Sequence, residues 1–354
     1  RFAWSTLHAT CVTASGGASA GWLSSRAARG ASALPGRAMA EAGDATRILV
    51  LRRDNIGDLV CTTPLLHALR AQLPASVIVA LVNRYNEPVL RGNPDLDAVH
   101  AYQKAKHRRP DENLAGVFWR RLKTMAELRR QRFDWLLLPG GMQASSASAV
   151  RLIAPRRLLV RGAEDAAAGP HEVEQVCHLL VRMGLRYETP FPKVVPDPAI
   201  RQPLAASLAA RLGFAPGLVI GVHVSARKAS QRWAAERFVE LIRRLPAAPG
   251  TAYLLLWAPG SAGNPQHPGD DEKATRIEAA LPRTPLVPMA TLRLEELIAA
   301  LSLCDRVICA DGGAMHLAAA LGKPIVCLFG DSDAARWRPW RNEFELLQPP
   351  SRNV

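Results

Sequence analysis

The sequence has no run near the roughly 18 uninterrupted apolar residues that a membrane-spanning helix needs. Its six cysteines, Cys11, Cys61, Cys177, Cys304, Cys309 and Cys327, form no Cys-x-x-Cys pair and have no histidine pairs nearby. That scatter argues against a zinc site or a disulfide framework and suits reduced thiols in a cytosolic protein. No Gly-x-Gly-x-x-Gly follows any predicted strand, which counts against a nicotinamide dehydrogenase. Aromatic residues make up only 6%. The most basic stretch offers only Phe118-Trp119 and Phe133 for stacking, so charge alone does not make this a nucleic-acid protein. Acid is also short, with 31 Asp and Glu against 45 Lys and Arg.

What is present describes a globular chain of two ordinary domains. It has 354 residues, 48% hydrophobic content and a mean hydropathy of −0.01. The net charge of +14 is uneven. Residues 101–132 hold ten Lys and Arg against Asp111, Glu112 and Glu127, so +10 − 3 = +7. Such a patch favours an anionic partner, although a solvated basic helix is the plainer reading. Residues 1–38 carry four arginines and no acid, are rich in Ala, Ser and Gly, and show no periodicity. Met39 precedes the first apolar run, so translation is expected to start there, and residues 1–45 to be a disordered or non-native leader. A compact apolar core of a secretory signal is missing from it.

From residue 46, short apolar runs alternate with helical patterns. Strands are expected at 47–51, 77–82, 98–102 and 135–139, with helices to about 72 and 91 and a basic helix over 114–132. The alternation restarts with strands at 218–224, 252–257, 306–310 and 324–329. Its helices fall at 234–245, 270–281, 294–303 and 314–321. This pattern implies βαβ units in parallel sheets. Proline-rich TPFPKVVPDP at 189–198 reads as a break. The fold class is therefore α/β with two Rossmann-like domains whose strand ends face a central cleft. Residues 46–190 and 216–335 are the two domains, 191–215 the linker, and 336–354 a segment returning to the first domain.

Three segments carry chemistry. In RRDNIGD, a strand runs through a single glycine and reaches Asp58 where a phosphate loop would hold an anion. Asp58 could be a helix N-cap. However, Pro64 six residues later suits the first turn of a separate helix, with Thr63 as its cap. Residues 57–62 would then be an irregular loop, leaving Asp58 free to point into the cleft. Arg52, Arg53 and Asn55 beside it are candidates to meet an acceptor, and either arginine could equally be a structural ion-pair partner. In HVSARKASQRW, Ser225, Arg227, Lys228 and Arg232 follow a strand end and suit a pyrophosphate clamp, or else a surface loop with incidental charge. In CADGGAMHLAAALGKP, Gly312 and Gly313 admit close backbone approach, and the following helix start offers N–H groups to an anion. Asp311 there suits sugar hydroxyls, and His316 is either part of the site or a partly buried helix residue.

Together these blocks, with the later RWRPW, resemble the ADP-heptose:lipopolysaccharide heptosyltransferase family, glycosyltransferase family 9, over roughly 46–345. The resemblance implies a GT-B architecture and an inverting, metal-independent transfer of a heptose from an ADP-sugar to a lipopolysaccharide-core or related surface glycan. It places the general base at Asp58, the donor loop at Asp311, Gly312, Gly313, Met315 and His316, and the phosphate contacts at Ser225 through Trp233. Two positions depart from the family pattern. Gln231 stands where a lysine is common, and Gly312 where Ser or Thr is common. The implied partners are a nucleotide sugar, used as substrate with no cofactor, and an anionic glycolipid acceptor at the cytoplasmic face of the inner membrane; no nucleic acid is expected. Asp95-Leu96-Asp97 and Asp331-Ser332-Asp333 are short enough to arise by chance, and the cationic segment makes a metal unnecessary. A nucleotide-sugar hydrolase or epimerase, or a non-catalytic binder, would use the same scaffold.

Overall fold

Continuous rather than alternating hydrophobicity in the short runs means burial on both faces, as a parallel sheet between helix layers requires. The computed structural model describes residues 45–102, 114–245, 248–264 and 268–349, and shows that arrangement. The expected leader lies outside the described residues, as do Lys104, Lys106, Arg108, Arg109, Asp111 and Glu112 of the basic stretch. Strands β1 (Arg47–Leu51), β2 (Val77–Asn83), β3 (Ala98–Tyr102), β4 (Trp135–Leu138) and β5 (Arg157–Val160) form a five-stranded parallel sheet ordered β3-β2-β1-β4-β5. The second sheet has six strands: β6 (Leu218–His223), β7 (Thr251–Trp257), β8 (Leu286–Ala290), β9 (Arg306–Ala310), β10 (Ile325–Leu328) and β11 (Phe344–Leu347). They are also parallel, ordered β11-β10-β9-β6-β7-β8.

Both sheets reverse their strand order at one place, between β1 and β4 and between β6 and β9. In such folds the crevice beyond the strand C-termini at that switch point receives ligands. The register places Ile48 beside Ile78 and Trp135, and Val222 beside Leu255 and Ile308. The segments leaving β1, β6 and β9 are those that hold Asp58, Arg227 and Asp311.

The helices around the first sheet are α1 (Ile56–Val60), α2 (Thr63–Gln72), α3 (Leu114–Arg130), α4 (Ala144–Ile153), α5 (Glu172–Cys177) and α6 (Leu179–Arg182). Around the second are α7 (Pro198–Leu212), α8 (Ala235–Arg244), α9 (Asp271–Ala280), α10 (Leu294–Leu303), α11 (Gly313–Ala320) and α12 (Ala334–Trp337). One apolar cluster runs from the first sheet through Ile56, Leu59 and Val60 of α1 to Ala314, Met315 and Ala318 of α11, and on into the second sheet. The two lobes therefore share a core along α1 and α11. Separate clusters fill the far face of each sheet.

Four expectations need correction. Residues 57–62 are not an irregular loop: Ile56–Val60 form a short helix, and the next begins at Thr63 with Thr62 as N-cap and Pro64 in its first turn. The helix expected to end near 91 is only a 3-10 turn, Glu87–Val89. The expected linker 191–215 is helical over Pro198–Leu212, because Asp197 caps the helix, Pro198 fits its first turn and Gly213 ends it at φ 72°. Of the segment 336–354, residues 336–349 are described: Arg338 O lies 2.8 Å from His171, and Trp340 donates to Thr189 O. Its strand, however, pairs with β10 in the second sheet.

Candidate active site

Asp58 is the third residue of α1, and its carboxylate does two jobs. Oδ2 accepts from the Asn55 backbone N–H at 3.1 Å and from Asn55 Nδ2 at 2.9 Å, closing the first turn. Oδ1 receives Arg52 Nη2 at 2.7 Å. The side chain is only 15% exposed, so its direction is fixed by these contacts before any ligand arrives.

Arg52 is an ion-pair residue rather than an acceptor contact. It is 2% exposed and is pinned between Asp54 (3.0 Å), Asp58 and Glu172 (2.8 Å). Glu172 is fully buried and also takes Arg161 at 2.7 Å and Arg336 at 2.8 Å. Against the cost of burial, Arg52 and Arg161 hold its carboxyl down at about 2. Glu172 therefore ties the arginine that orients Asp58 to α12 of the second lobe. Arg53 is buried too, 3.2 Å from Ser146 Oγ and 4.8 Å from the Tyr102 ring.

Gly57 lies inside α1. A Cβ there would lie 2.5 Å from Cδ2 of His316, so the glycine is the space in which that imidazole packs. Gly313 works the same way from the other lobe, where a Cβ would meet Ile56 at 3.1 Å. His316 is 5% exposed, and its Nδ1 lies 3.7 Å from Cys61 Sγ. Burial lowers its pKa, while Asp311, Asp58 and Glu172 oppose that shift. One imidazole thus feels the carboxylates of both lobes.

On the donor side the residues divide. Asp311 is buried, and Gln231 Nε2 donates to its Oδ2 at 2.6 Å and to Ser332 Oγ at 2.8 Å. The position expected to hold a lysine is thus filled by a neutral donor on that carboxylate. Gly312, at φ 157° and ψ −166°, opens α11, and no side chain caps that helix. Met315 is 0% exposed and belongs to the core. Ser225 Oγ accepts from Ala258 N at 2.9 Å. Arg232 is committed to Asp270 and to the carbonyls of Gly269 and Ala226, which close the loop. Arg227 and Lys228 are the exposed cations of the segment.

Tyr85, which sequence reasoning missed, exposes 61% of its surface; burial raises its hydroxyl pKa, and the charge of Arg227 from the other lobe lowers it. Both aspartate triplets have structural duties. Asp95 meets His67 and Lys193, Asp97 meets Arg70, and Asp333 caps α12.

Comparison with known proteins places this geometry. The profile of glycosyltransferase family 9 (heptosyltransferase) matches residues 121–349. Lipopolysaccharide heptosyltransferase 3 of Escherichia coli is 25% identical over 302 residues, covering 81% of this chain and 84% of the relative. Lipopolysaccharide heptosyltransferase 2 of Escherichia coli K12 is 24% identical over 314 residues, covering 81% and 83%. Among solved structures, the family 9 glycosyl transferase of Veillonella parvula superposes with a TM-score of 0.69 at 20% identity, covering 87% of this chain and 88% of that one. Escherichia coli heptosyltransferase WaaC with ADP gives 0.66 at 18%, covering 86% and 94%. At these identities the superpositions speak for the two-sheet fold.

Proposed function

Since the chain belongs to glycosyltransferase family 9, the heptosyltransferases, we propose that it transfers a heptose from an ADP-sugar to an anionic glycolipid of the lipopolysaccharide-core type, with inversion and without a metal. The observation that supports this reading is the meeting of the two switch points at His316, with Asp58 from one lobe and Asp311 from the other. An acceptor hydroxyl entering beside Asp58 has a carboxylate to take its proton. Arg52 and Asn55 keep that carboxylate aimed while the sugar carbon passes through an oxocarbenium-like state. On the far side, Arg227, Lys228 and the uncapped start of α11 face the departing diphosphate. Inversion requires attack from the Asp58 side and departure toward α11 on opposite faces of the sugar. A membrane-embedded acceptor makes the contact with the cytoplasmic membrane face peripheral.

A panel of nucleotide sugars tests the donor assignment by binding and by release of free sugar. ADP-sugars are expected to bind and to be consumed only with acceptor. Preference for UDP- or GDP-sugars would overturn the donor, and sugar release without acceptor would favour a hydrolase. In the same panel, Asp58→Asn should lose about 10²- to 10⁴-fold in turnover while keeping donor affinity. Unchanged turnover would remove Asp58 as the base.

A further inference from the structure

Phe118 and Trp119 stand side by side on α3, exposing 59% and 69% of their surface. Large aromatics kept in water on a basic helix call for a partner. Phe118, Leu122 and Met125 recur at helical spacing, and with Leu152 of α4 they wall a hollow of about 90 Å³. Leu152 is itself 46% exposed. Arg53 and Arg121 line the same hollow, 4.8 and 5.8 Å from the centre of the Tyr102 ring, and no carboxylate is among its described lining residues. Burial and the nearby Arg121 charge push the Arg53 pKa down while Tyr102 and Asp54 oppose, and Arg121 adds a second positive charge beside the same ring. Over 114–130, α3 carries five cations, Arg120, Arg121, Lys123, Arg129 and Arg130, against Glu127.

We propose that this face docks on a bilayer: Phe118 and Trp119 enter the acyl boundary while Arg53 and Arg121 take the phosphate of an anionic phospholipid in the hollow. Charge complementarity and the apolar wall select that occupant, because a soluble anion would leave the aromatic pair uncovered and a nucleic acid would leave the wall unfilled. The inference deepens the reading of a glycolipid acceptor. Arg53 follows the arginine that holds Asp58, so the docking face and the base sit at the same end of β1.

The test is co-sedimentation of the full chain with phosphatidylcholine vesicles, with and without phosphatidylglycerol. Binding should be at least about tenfold tighter with the anionic lipid and should weaken with salt. The double variant Phe118→Ser, Trp119→Ser and the single variant Arg121→Gln should each lower it about fivefold. Equal binding to both vesicles, no loss in either variant, or displacement by millimolar inorganic phosphate would overturn the proposal. Melting curves report whether the variants fold; if the double variant does not, Arg121→Gln decides. Asp58→Asn should sediment like the parent, so loss of the catalytic reading and loss of the docking face are separable outcomes.

Discussion

Asp58 is held in place by bonds on both of its oxygens, and Gly57 next to it is held in place by what it lacks. Helix interiors disfavour glycine by about 1 kcal/mol relative to alanine, so a glycine at the second position of α1 costs local stability. The gain lies across the lobe boundary, where the His316 ring occupies the place of a Cβ. Gly57→Ala should therefore destabilise the protein by about 1–3 kcal/mol despite its better helix propensity, through overpacking. Gly116→Ala on α3, where nothing lies within 4 Å of the added carbon, is the matched control and should be neutral or stabilising. Urea melts of the two variants check this, and equal behaviour would mean that His316 swings aside at no cost. Gln231 shows how a side chain can change kind and keep its place: its amide bridges Asp311 and Ser332 without adding charge.

Among the elements, α5 and α12 carry the contact that aligns the base. Glu172 opens α5 with three guanidinium partners, from the segment after β1, from the segment after β5, and from α12. Removing its charge while keeping its shape, as in Glu172→Gln, takes away one of the three carboxylates that compensate buried Arg52 and the carboxylate shared by Arg161 and Arg336, and should cost up to about 3–5 kcal/mol. Turnover should fall further than thermal stability at a permissive temperature, because Arg52 also orients Asp58. A variant that melts earlier yet turns over normally when folded would show that the hub is only structural. Such elements were hard to read in sequence. The strands β1, β6 and β9 announce themselves as apolar runs, and the Asp58, Arg227 and Asp311 segments follow them by the rule of strand ends. Glu172 lies 120 positions from Arg52, and nothing local marks the pairing. The one signal was a carboxylate beside Val173, Val176 and Cys177, on what is otherwise a buried face. Tyr85 gave no signal at all, because nothing local marks a loop tyrosine that feels Arg227, 142 positions away on the other lobe. Helix α7 was hidden by its prolines, of which Pro198 starts the helix and Pro203 lies inside it.

For the molecule as a whole, acid stability follows from what the shared core buries. His171 is fully buried with Nδ1 accepting from Val173 N–H and Nε2 facing Arg338 O, which fixes the neutral tautomer. Burial lowers its pKa to about 4 against the hydrogen bond to the Arg338 carbonyl and the Glu172 charge, with the charges of His316 and Arg338 adding to the fall. His223, buried at the end of β6 near Asp270 and Lys273, is likewise lowered from 6.5 to about 4 by burial. Both folded groups bind a proton less readily than in the unfolded chain, so their stabilisation is complete above pH 6.5. It declines as pH falls from 6.5 to 4 and is flat below that, with about 3 kcal/mol at stake for each. Glu172 works in a lower window: its stabilisation is intact above 4.5 and is lost as pH falls toward 2. Against a total of about 5–15 kcal/mol for a folded domain, the two histidines alone bring the protein near its limit before the carboxylates titrate. The melting temperature should therefore drop steeply between pH 6.5 and 4, and His223→Asn, which cannot take up a proton, should flatten that slope whatever it does to stability at neutral pH. A melting temperature level across that interval would mean that the imidazoles gain solvent when protonated, and that the core between the lobes opens before the sheets do.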